Sequence, residues 1–173
     1  MQVDTNNIPN SLIVVFGLPG TGKTTFAKAL AAHLNWPHFN TDVIRSELGK
    51  RQEYDEPTKA WVYTQLLERT ATELEKGRGV VLDGTFYTED LREACRNLAA
   101  HYRRPLRWIQ VSASEDVIRE RVSGPRPYSE ADFQVYQKIR DRFEPLKEPA
   151  LKLSSDAMQL PEMVVRAMKY LFQ

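Results

Sequence analysis

The sequence predicts an α/β fold in which helices cover both faces of a parallel sheet. Short apolar runs alternate along the chain with segments of helical periodicity, and this alternation is typical of parallel strands joined by helical crossovers. The chain has 173 residues, 42% of them hydrophobic, which suits one domain with a sizeable core. It holds no internal repeat and no long linker, so we expect residues 1–173 to form a single domain.

Four apolar runs are the candidate strands, and they lie at residues 12–16, 79–83, 106–111 and 150–153. Apolar side chains recur at helical spacing over residues 57–76, and Gly77 is a natural stop for that helix. Further helices are expected near Asp42, over residues 91–102, after Ser114 and around Pro161. A segment rich in Gly, Pro and Arg interrupts the helical pattern after residue 122, and it predicts a small lid at about 122–130.

The composition of the chain disfavours nucleic-acid-binding, membrane and secreted proteins. A net charge of +1 gives no general attraction to nucleic acid. No apolar stretch approaches the ~20 residues that span a bilayer, and the polar start is unlike a signal peptide. The single cysteine, Cys95, has no partner for an internal disulfide. We therefore expect a cytoplasmic protein without a membrane partner, and we interpret its three histidines as surface or helix-end residues.

One segment carries specific chemistry. Gly17-Leu18-Pro19-Gly20-Thr21-Gly22-Lys23-Thr24 fits the phosphate-binding pattern G-x-x-x-x-G-K-[ST], between a candidate strand and a candidate helix. The glycines let backbone N–H groups approach phosphate closely, and the helix adds the positive end of its dipole. We expect this segment and Thr25 to bind a nucleoside triphosphate. Lys23 is expected to reach the β- and γ-phosphates, and Thr24 to bind Mg²⁺.

Polar residues near strand ends supply the remaining candidates, because ligands of open α/β sheets bind there. Asp42 can take the proton from an attacking hydroxyl, and Arg45, on the same helix face, can hold the acceptor or the transferring phosphate. The alternative is that Asp42 only caps its helix, paired with Arg45. Asp83 ends a buried run and can orient the hydration shell of Mg²⁺, unless it is merely a turn residue before Gly84.

Two arginines flank the predicted lid. Arg121 and Arg126 can close over the triphosphate and neutralise charge in the transition state. The alternative for either is a solvated surface arginine. Phe86 and Tyr87 follow Asp83 and are candidates for the wall of an acceptor pocket.

Together with the phosphate loop, three further segments support a family resemblance: Thr41–Arg45, Val81–Thr85 and Glu120–Arg126. This set resembles the small P-loop kinases of the polynucleotide-kinase-like group, often described as predicted kinases or AAA-type ATPases. Zeta toxin, chloramphenicol phosphotransferase and gluconate kinase are similar at greater distance. The resemblance implies a three-layer P-loop NTPase sandwich with a five-stranded parallel sheet, flanking helices and a small lid. It also implies Asp42 as general base and Arg45 as clamp.

The chain departs from the family pattern at two places. Pro125 lengthens the spacing between the lid arginines, whose entry resembles that of adenylate kinase. Gly84-Thr85-Phe86 stands where polynucleotide kinases tend to carry Asp-x-Thr-Asn, so we expect a different acceptor pocket.

These observations predict an ATP- and Mg²⁺-dependent phosphotransferase that acts on a hydroxyl. Its acceptor is either a small metabolite or a polynucleotide 5′-hydroxyl, and the near-neutral charge favours the small molecule. The alternative is an NTPase or nucleotide-switched module without an acceptor. No guanine-reading Asn-Lys-x-Asp motif is present, and Gly84 rather than Glu follows Asp83, so the alternative is less favoured.

Overall fold

A computed structural model of the protein describes residues 8–51, 53–124 and 132–173. Within these ranges the chain alternates strands and helices in the order β1 (Leu12–Phe16), α1 (Lys23–Leu34), β2 (His38–Asn40), α2 (Thr41–Glu47), α3 (Glu56–Glu75), β3 (Val80–Gly84), α4 (Glu89–His101), β4 (Leu106–Ser112), α5 (Glu115–Val122), α6 (Phe133–Asp141), β5 (Leu151–Ser154) and α7 (Leu160–Leu171).

The five strands form one parallel sheet in the order β2-β3-β1-β4-β5. This confirms the predicted five-stranded parallel α/β fold. Strand β1 lies at the centre and is wholly buried, because both of its edges are paired and both of its faces are covered. Its register places Val15 beside Asp83 and Phe16 beside Gly84. The carboxyl ends of β1 and β3 therefore meet at one edge of the sheet.

Alternating side chains of β1 feed two separate cores, as the period of two along a strand requires. Ile13 and Val15 pack with α1 and α7 on one face. Leu12, Val14 and Phe16 pack with α3 and α4 on the other. The second core also takes in Cys95, whose pKa is raised to about 12 by burial.

The candidate strands predicted from the sequence do not include β2. This strand has only three residues at the edge of the sheet, and its neighbours Trp36 and Pro37 give no alternating pattern to recognise. Pairing of His38 with Val81 and of Asn40 with Asp83 shows that β3, rather than local propensity, holds β2 extended.

Most of the predicted lid lies outside the described residues. Helix α5 ends at Val122 and α6 begins at Phe133, with the Asp132 side chain accepting from the Val135 N–H as its N-cap. Arg126 belongs to residues 125–131, which fall in that undescribed interval. Among the helices of the described ranges, none has the length and apolar character needed to cross a membrane.

Candidate functional site: a phosphate loop beside a polar cleft

The segment between β1 and α1 forms a tight loop, and both its backbone conformation and its close packing require glycine. Gly20 and Gly22 have φ of 81° and 84°, a region that L side chains rarely adopt. A Cβ at Gly17 would lie 2.2 Å from the Val111 carbonyl oxygen, and one at Gly20 would lie 2.8 Å from Val122 Cγ1. Gly22 is the N-cap of α1, so the unpaired N–H groups of the first helical turn face the loop.

Contacts from distant elements hold the loop in shape. Ser155, just after β5, donates its hydroxyl to the Thr21 carbonyl oxygen at 2.6 Å. Arg121 Nη1 donates to Ser155 Oγ at 2.8 Å and to the Gly20 carbonyl oxygen at 3.3 Å. Within the loop, Lys23 Nζ donates to the Leu18 carbonyl oxygen at 3.2 Å. The structure therefore places Arg121 against the predicted phosphate loop, and it adds Ser155, which no sequence motif marked.

Asn40 joins the two residues that the sequence assigned to the metal. Its Nδ2 donates to Asp83 Oδ2 at 2.6 Å and lies 3.3 Å from Thr24 Oγ1. Asp83 is fully buried, and its Oδ1 has no hydrogen-bond partner among the described residues. A buried carboxylate with one oxygen left without a partner, joined to the Thr24 hydroxyl through the Asn40 amide, suits the oxygen ligands that Mg²⁺ and its bound waters prefer. The residues present therefore fit a magnesium ion.

One histidine departs from its expected place. His38 lies in β2, with Nε2 3.4 Å from Asp83 Oδ2 and a side chain that is 14% exposed. It is therefore neither a surface nor a helix-end residue. His33 and His101 do lie in the last turns of α1 and α4.

Helix α2 presents Asp42 and Arg45 together. Arg45 Nη1 donates to Asp42 Oδ1 at 2.6 Å, and its guanidinium lies 4.7 Å from the centre of the Tyr54 ring. The N-cap of α2 is Asn40, whose Oδ1 accepts from the Asp42 and Val43 N–H groups at 2.9 Å. Asp42 is therefore not the cap, although it does pair with Arg45. A single missed residue, Asn40, positions both α2 and Asp83.

A cleft open to solvent joins the phosphate loop to α2. Its lining comes from five parts of the chain: Pro19, Lys23, Thr41, Asp42, Arg45, Tyr54, Lys59, Tyr63, Thr85, Tyr87, Val135 and Ile139. Of the two aromatic residues considered for this wall, Tyr87 lines it. Both side chains are buried: Tyr87 is 2% exposed, and Phe86 is fully buried and packs edge-on against Tyr63, with 5.2 Å between ring centres.

Tyr63 forms the polar floor of the cleft. Its hydroxyl oxygen accepts from the Phe86 N–H at 3.2 Å and lies 3.3 Å from Thr85 Oγ1. Burial raises the pKa of Tyr63 to about 12, so the phenol is a neutral hydrogen-bonding group rather than a base at neutral pH.

The far wall carries positive charge. Lys59 Nζ lies 2.5 Å from the Tyr87 hydroxyl and 3.1 Å from Glu56 Oε1. Arg142 Nη1 lies 3.1 Å from the same carboxylate oxygen. Hydrogen bonds from Lys59 and then Arg142 lower the pKa of Glu56.

A buried arginine supports the wall from behind. Arg92 is fully buried, and it donates to the carbonyl oxygens of Phe86, at 2.8 Å, and Glu144. The Glu144 N–H in turn donates to the Tyr87 carbonyl oxygen at 2.9 Å. Arg92 therefore ties the segment after β3, which carries Thr85 and Tyr87, to the segment after α6.

Comparison with known families and proteins identifies the family and the fold of the chain. The model of the AAA domain family matches residues 12–146, which is most of the chain. An uncharacterised protein of Mycobacterium tuberculosis is 31% identical over 123 residues, covering 64% of this chain and 25% of its own length. An adenylate kinase from Anaeromyxobacter sp. is 27% identical over 127 residues, covering 66% of this chain and 59% of its own length. The chain thus spans a quarter to three fifths of these relatives.

Solved structures of similar fold include a putative kinase from Chloroflexus aurantiacus, with a TM-score of 0.76 at 23% identity, covering 94% of this chain and 96% of that one. A gluconokinase from Sinorhizobium meliloti follows with a TM-score of 0.73 at 21% identity, covering 94% and 92%. At these identities the likeness establishes the fold.

Proposed function

The chain belongs to the AAA domain family, and from that premise we propose that it is an ATP- and Mg²⁺-dependent phosphotransferase that acts on a hydroxyl group. One observation carries the proposal: Lys23 of the phosphate loop and Asp42 of α2 line the same cleft. The phosphate donor and the candidate base therefore face one volume that is open to a second substrate. The adenylate kinase and gluconokinase relatives support phosphoryl transfer in general, but they transfer to different acceptors and leave the acceptor open.

The donor is proposed to bind along the loop from Gly17 to Thr25, in contact with its backbone N–H groups and the start of α1. Lys23 is proposed to leave the Leu18 carbonyl oxygen and to contact the β- and γ-phosphates. Arg121, anchored between Gly20 and Ser155, supports the loop from the outer side and adds positive charge there.

Thr24, and Asp83 through water, would hold a magnesium ion, which would supply charge neutralisation on the phosphates. Asn40 contacts both residues and so holds their side chains close together in the absence of the ion.

At the acceptor side, Asp42 is proposed to accept the proton of the attacking hydroxyl. A bond forms between that oxygen and the γ-phosphorus while the bond from the γ-phosphorus to the bridging oxygen of ADP breaks. Arg45 is proposed to hold the transferring phosphoryl group, and its contact with Asp42 keeps both side chains at the reacting atoms. Most of the rate acceleration then comes from positioning and electrostatics.

The test is transfer of labelled γ-phosphate from ATP across a panel of hydroxyl acceptors that includes 5′-hydroxyl DNA and RNA. We expect Lys23→Ala to abolish transfer. Asp42→Ala should lower kcat by about 10²–10⁴-fold, the usual contribution of a general base, while ATP binding measured by calorimetry largely survives.

A matched control is Asp90→Ala, which removes an exposed carboxylate from the same position, the second residue, of α4. It should leave transfer unchanged. Full turnover by Asp42→Ala would remove the general-base role. ATP hydrolysis equal to total ATP consumption with every acceptor would instead indicate an NTPase or switch module.

A further inference from the structure

We infer that the acceptor is a small hydroxylated molecule that carries a carboxylate group, and that Lys59 binds this anionic group at the far wall of the cleft. The inference rests on the proposed function, because it assigns a substrate class to the same cleft. It depends on the charges of that wall, on its aromatic lining and on the ion pairs at its edge.

The charge balance of the wall favours an anion. Glu56 contacts both Lys59 and Arg142 at 3.1 Å, so a single carboxylate faces two cations. Glu56 is 65% exposed, whereas Lys59 is only 17% exposed. Arg142 is 59% exposed and does not line the cleft. Lys59 is therefore the cation of this group that lines the cleft, and solvent screens its carboxylate partner more than its own ammonium group.

The other cations of the cleft, Arg45 and Lys23, have different partners. Asp42 contacts Arg45 at 2.6 Å, and Lys23 belongs to the phosphate loop. Lys59 is separate from both, because it lies on α3 beside the Tyr87 hydroxyl. A ligand with its hydroxyl at Asp42 and its anionic group at Lys59 would satisfy both walls.

The remaining lining suits a compact ligand. Tyr54 and the largely buried Tyr63 and Tyr87 line the cleft, and Thr85 provides a hydroxyl near the Tyr63 oxygen. Val135 and Ile139 of α6 add an apolar side. Small-molecule sites characteristically combine apolar walls with a few fixed polar groups.

The surroundings disfavour an extended polyanion. Exposed Glu53, Asp55 and Glu56 cluster beside Tyr54 and Lys59 at the start of α3. Glu53 pairs with Lys50, and Glu56 pairs with Lys59 and Arg142. A polynucleotide relies on neutralising several phosphates in succession, and the cations near this wall are already paired with carboxylates, so the wall suits one anionic group better than a chain of them.

The first measurement is binding, with a non-hydrolysable ATP analogue present. Calorimetry compares D-gluconate with D-glucitol and D-glycerate with glycerol, two pairs in which a carboxylate replaces a hydroxymethyl group. We expect the acid of a pair to bind about 10–100-fold more tightly, the range of a charge-assisted hydrogen bond. Lys59→Met should remove this preference, and Lys59→Arg should retain it.

The matched control is Lys76→Met. Lys76 follows α3 directly and pairs with a glutamate three residues earlier, Glu73, as Lys59 pairs with Glu56, but it does not line the cleft. Its loss should leave the preference for the acids unchanged.

Three results would overturn the inference: no binding of either acid, equal binding of acid and neutral partner, or a preference that survives in Lys59→Met. A 5′-hydroxyl oligonucleotide that binds more tightly than the acids would also overturn it, in favour of a nucleic-acid acceptor.

Labelled-phosphate transfer with the same compounds separates the two proposals. Acids that bind through Lys59 but receive no phosphate would leave the anion site standing and remove the proposed function. Transfer to neutral acceptors that is insensitive to Lys59 would keep the function and remove the site. Transfer to an acid, with the Lys59→Met defect in KM rather than kcat, is the expected result.

Discussion

Replacing Arg92 with Met is expected to destabilise the protein strongly, because it removes a buried donor while keeping an apolar side chain of similar length. The guanidinium is fully buried beside the stacked rings of Phe16 and Phe143, 5.7 and 5.3 Å from their centres. It donates to the carbonyl oxygens of Phe86 and Glu144. Met keeps most of the packing, so the loss falls mainly on those two acceptors, with a smaller part from the ion pair of Nη1 with Glu89 at 3.7 Å.

The magnitude follows from the contacts. A buried acceptor left without a donor costs about 1–3 kcal/mol, and the partly buried Glu144 carbonyl belongs at the low end of that range. Burial also lowers the pKa of Arg92, which shows that burying its charge has a cost that the substitution removes. We therefore expect the free energy of unfolding to fall by about 2–4 kcal/mol, or Tm by roughly 4–16 °C.

Urea unfolding followed by circular dichroism measures this loss, and Arg96→Met is the control. Arg96 lies one helical turn further along α4, is 30% exposed, and pairs with Glu89 and Glu148 at the surface. Its replacement should cost about 0–1 kcal/mol. If Arg92→Met were no less stable than Arg96→Met, the buried hydrogen bonds would not be what fixes the Thr85–Tyr87 segment.

Two further predictions test the loop and the end of the sheet. Gly20→Ala should lower the free energy of unfolding by more than Gly49→Ala does, and it should also lower the affinity for ATP. Both glycines have positive φ, 81° and 70°, but only at Gly20 would the Cβ meet a neighbour, Val122 Cγ1 at 2.8 Å; equal losses of stability would contradict the steric argument. The pKa of Asp156 is lowered by the Ser154 hydroxyl and the Ser114 N–H. The contribution of Asp156 to the free energy of unfolding is therefore present above the pKa of the unfolded state and lost as pH falls below about 4. The urea midpoint of the wild type should fall more steeply with decreasing pH than that of Asp156→Asn. Parallel curves would contradict this prediction.

The fold was largely predictable because its signals are local. Buried parallel strands such as β1 and β3 form continuous apolar runs, and Gly77, with φ of 80°, ends the long helix where expected. The three-residue β2 was missed because pairing with β3 alone keeps it extended. The helix after β2 was placed near Asp42, although Asn40 caps it.

The candidate site was predictable only in part, for a related reason. Contiguous motifs marked Lys23, Thr24, Asp42 and Asp83, and these predictions await the tests above. Asn40 and Ser155 were missed because their roles come from partners that are distant in sequence, such as Asp83 and Thr21. An Asn directly before Thr-Asp at a helix start is a usable capping signal, but nothing local connects Ser155 to the loop.

The two halves of the cleft differ in how the sequence encodes them. The donor half is mainly backbone from one contiguous segment, and its glycines are required by φ and by close packing. The acceptor half is built from side chains of α2, α3, α6 and the segments before α3 and after β3. Because Lys59, Thr85 and Tyr87 lie outside the phosphate loop, substitutions at these residues can change the acceptor without altering that loop. Gly84-Thr85-Phe86, where the chain departs from the polynucleotide-kinase pattern, lies in this half. The departure and the Lys59 subsite therefore point the same way, toward an acceptor other than a polynucleotide.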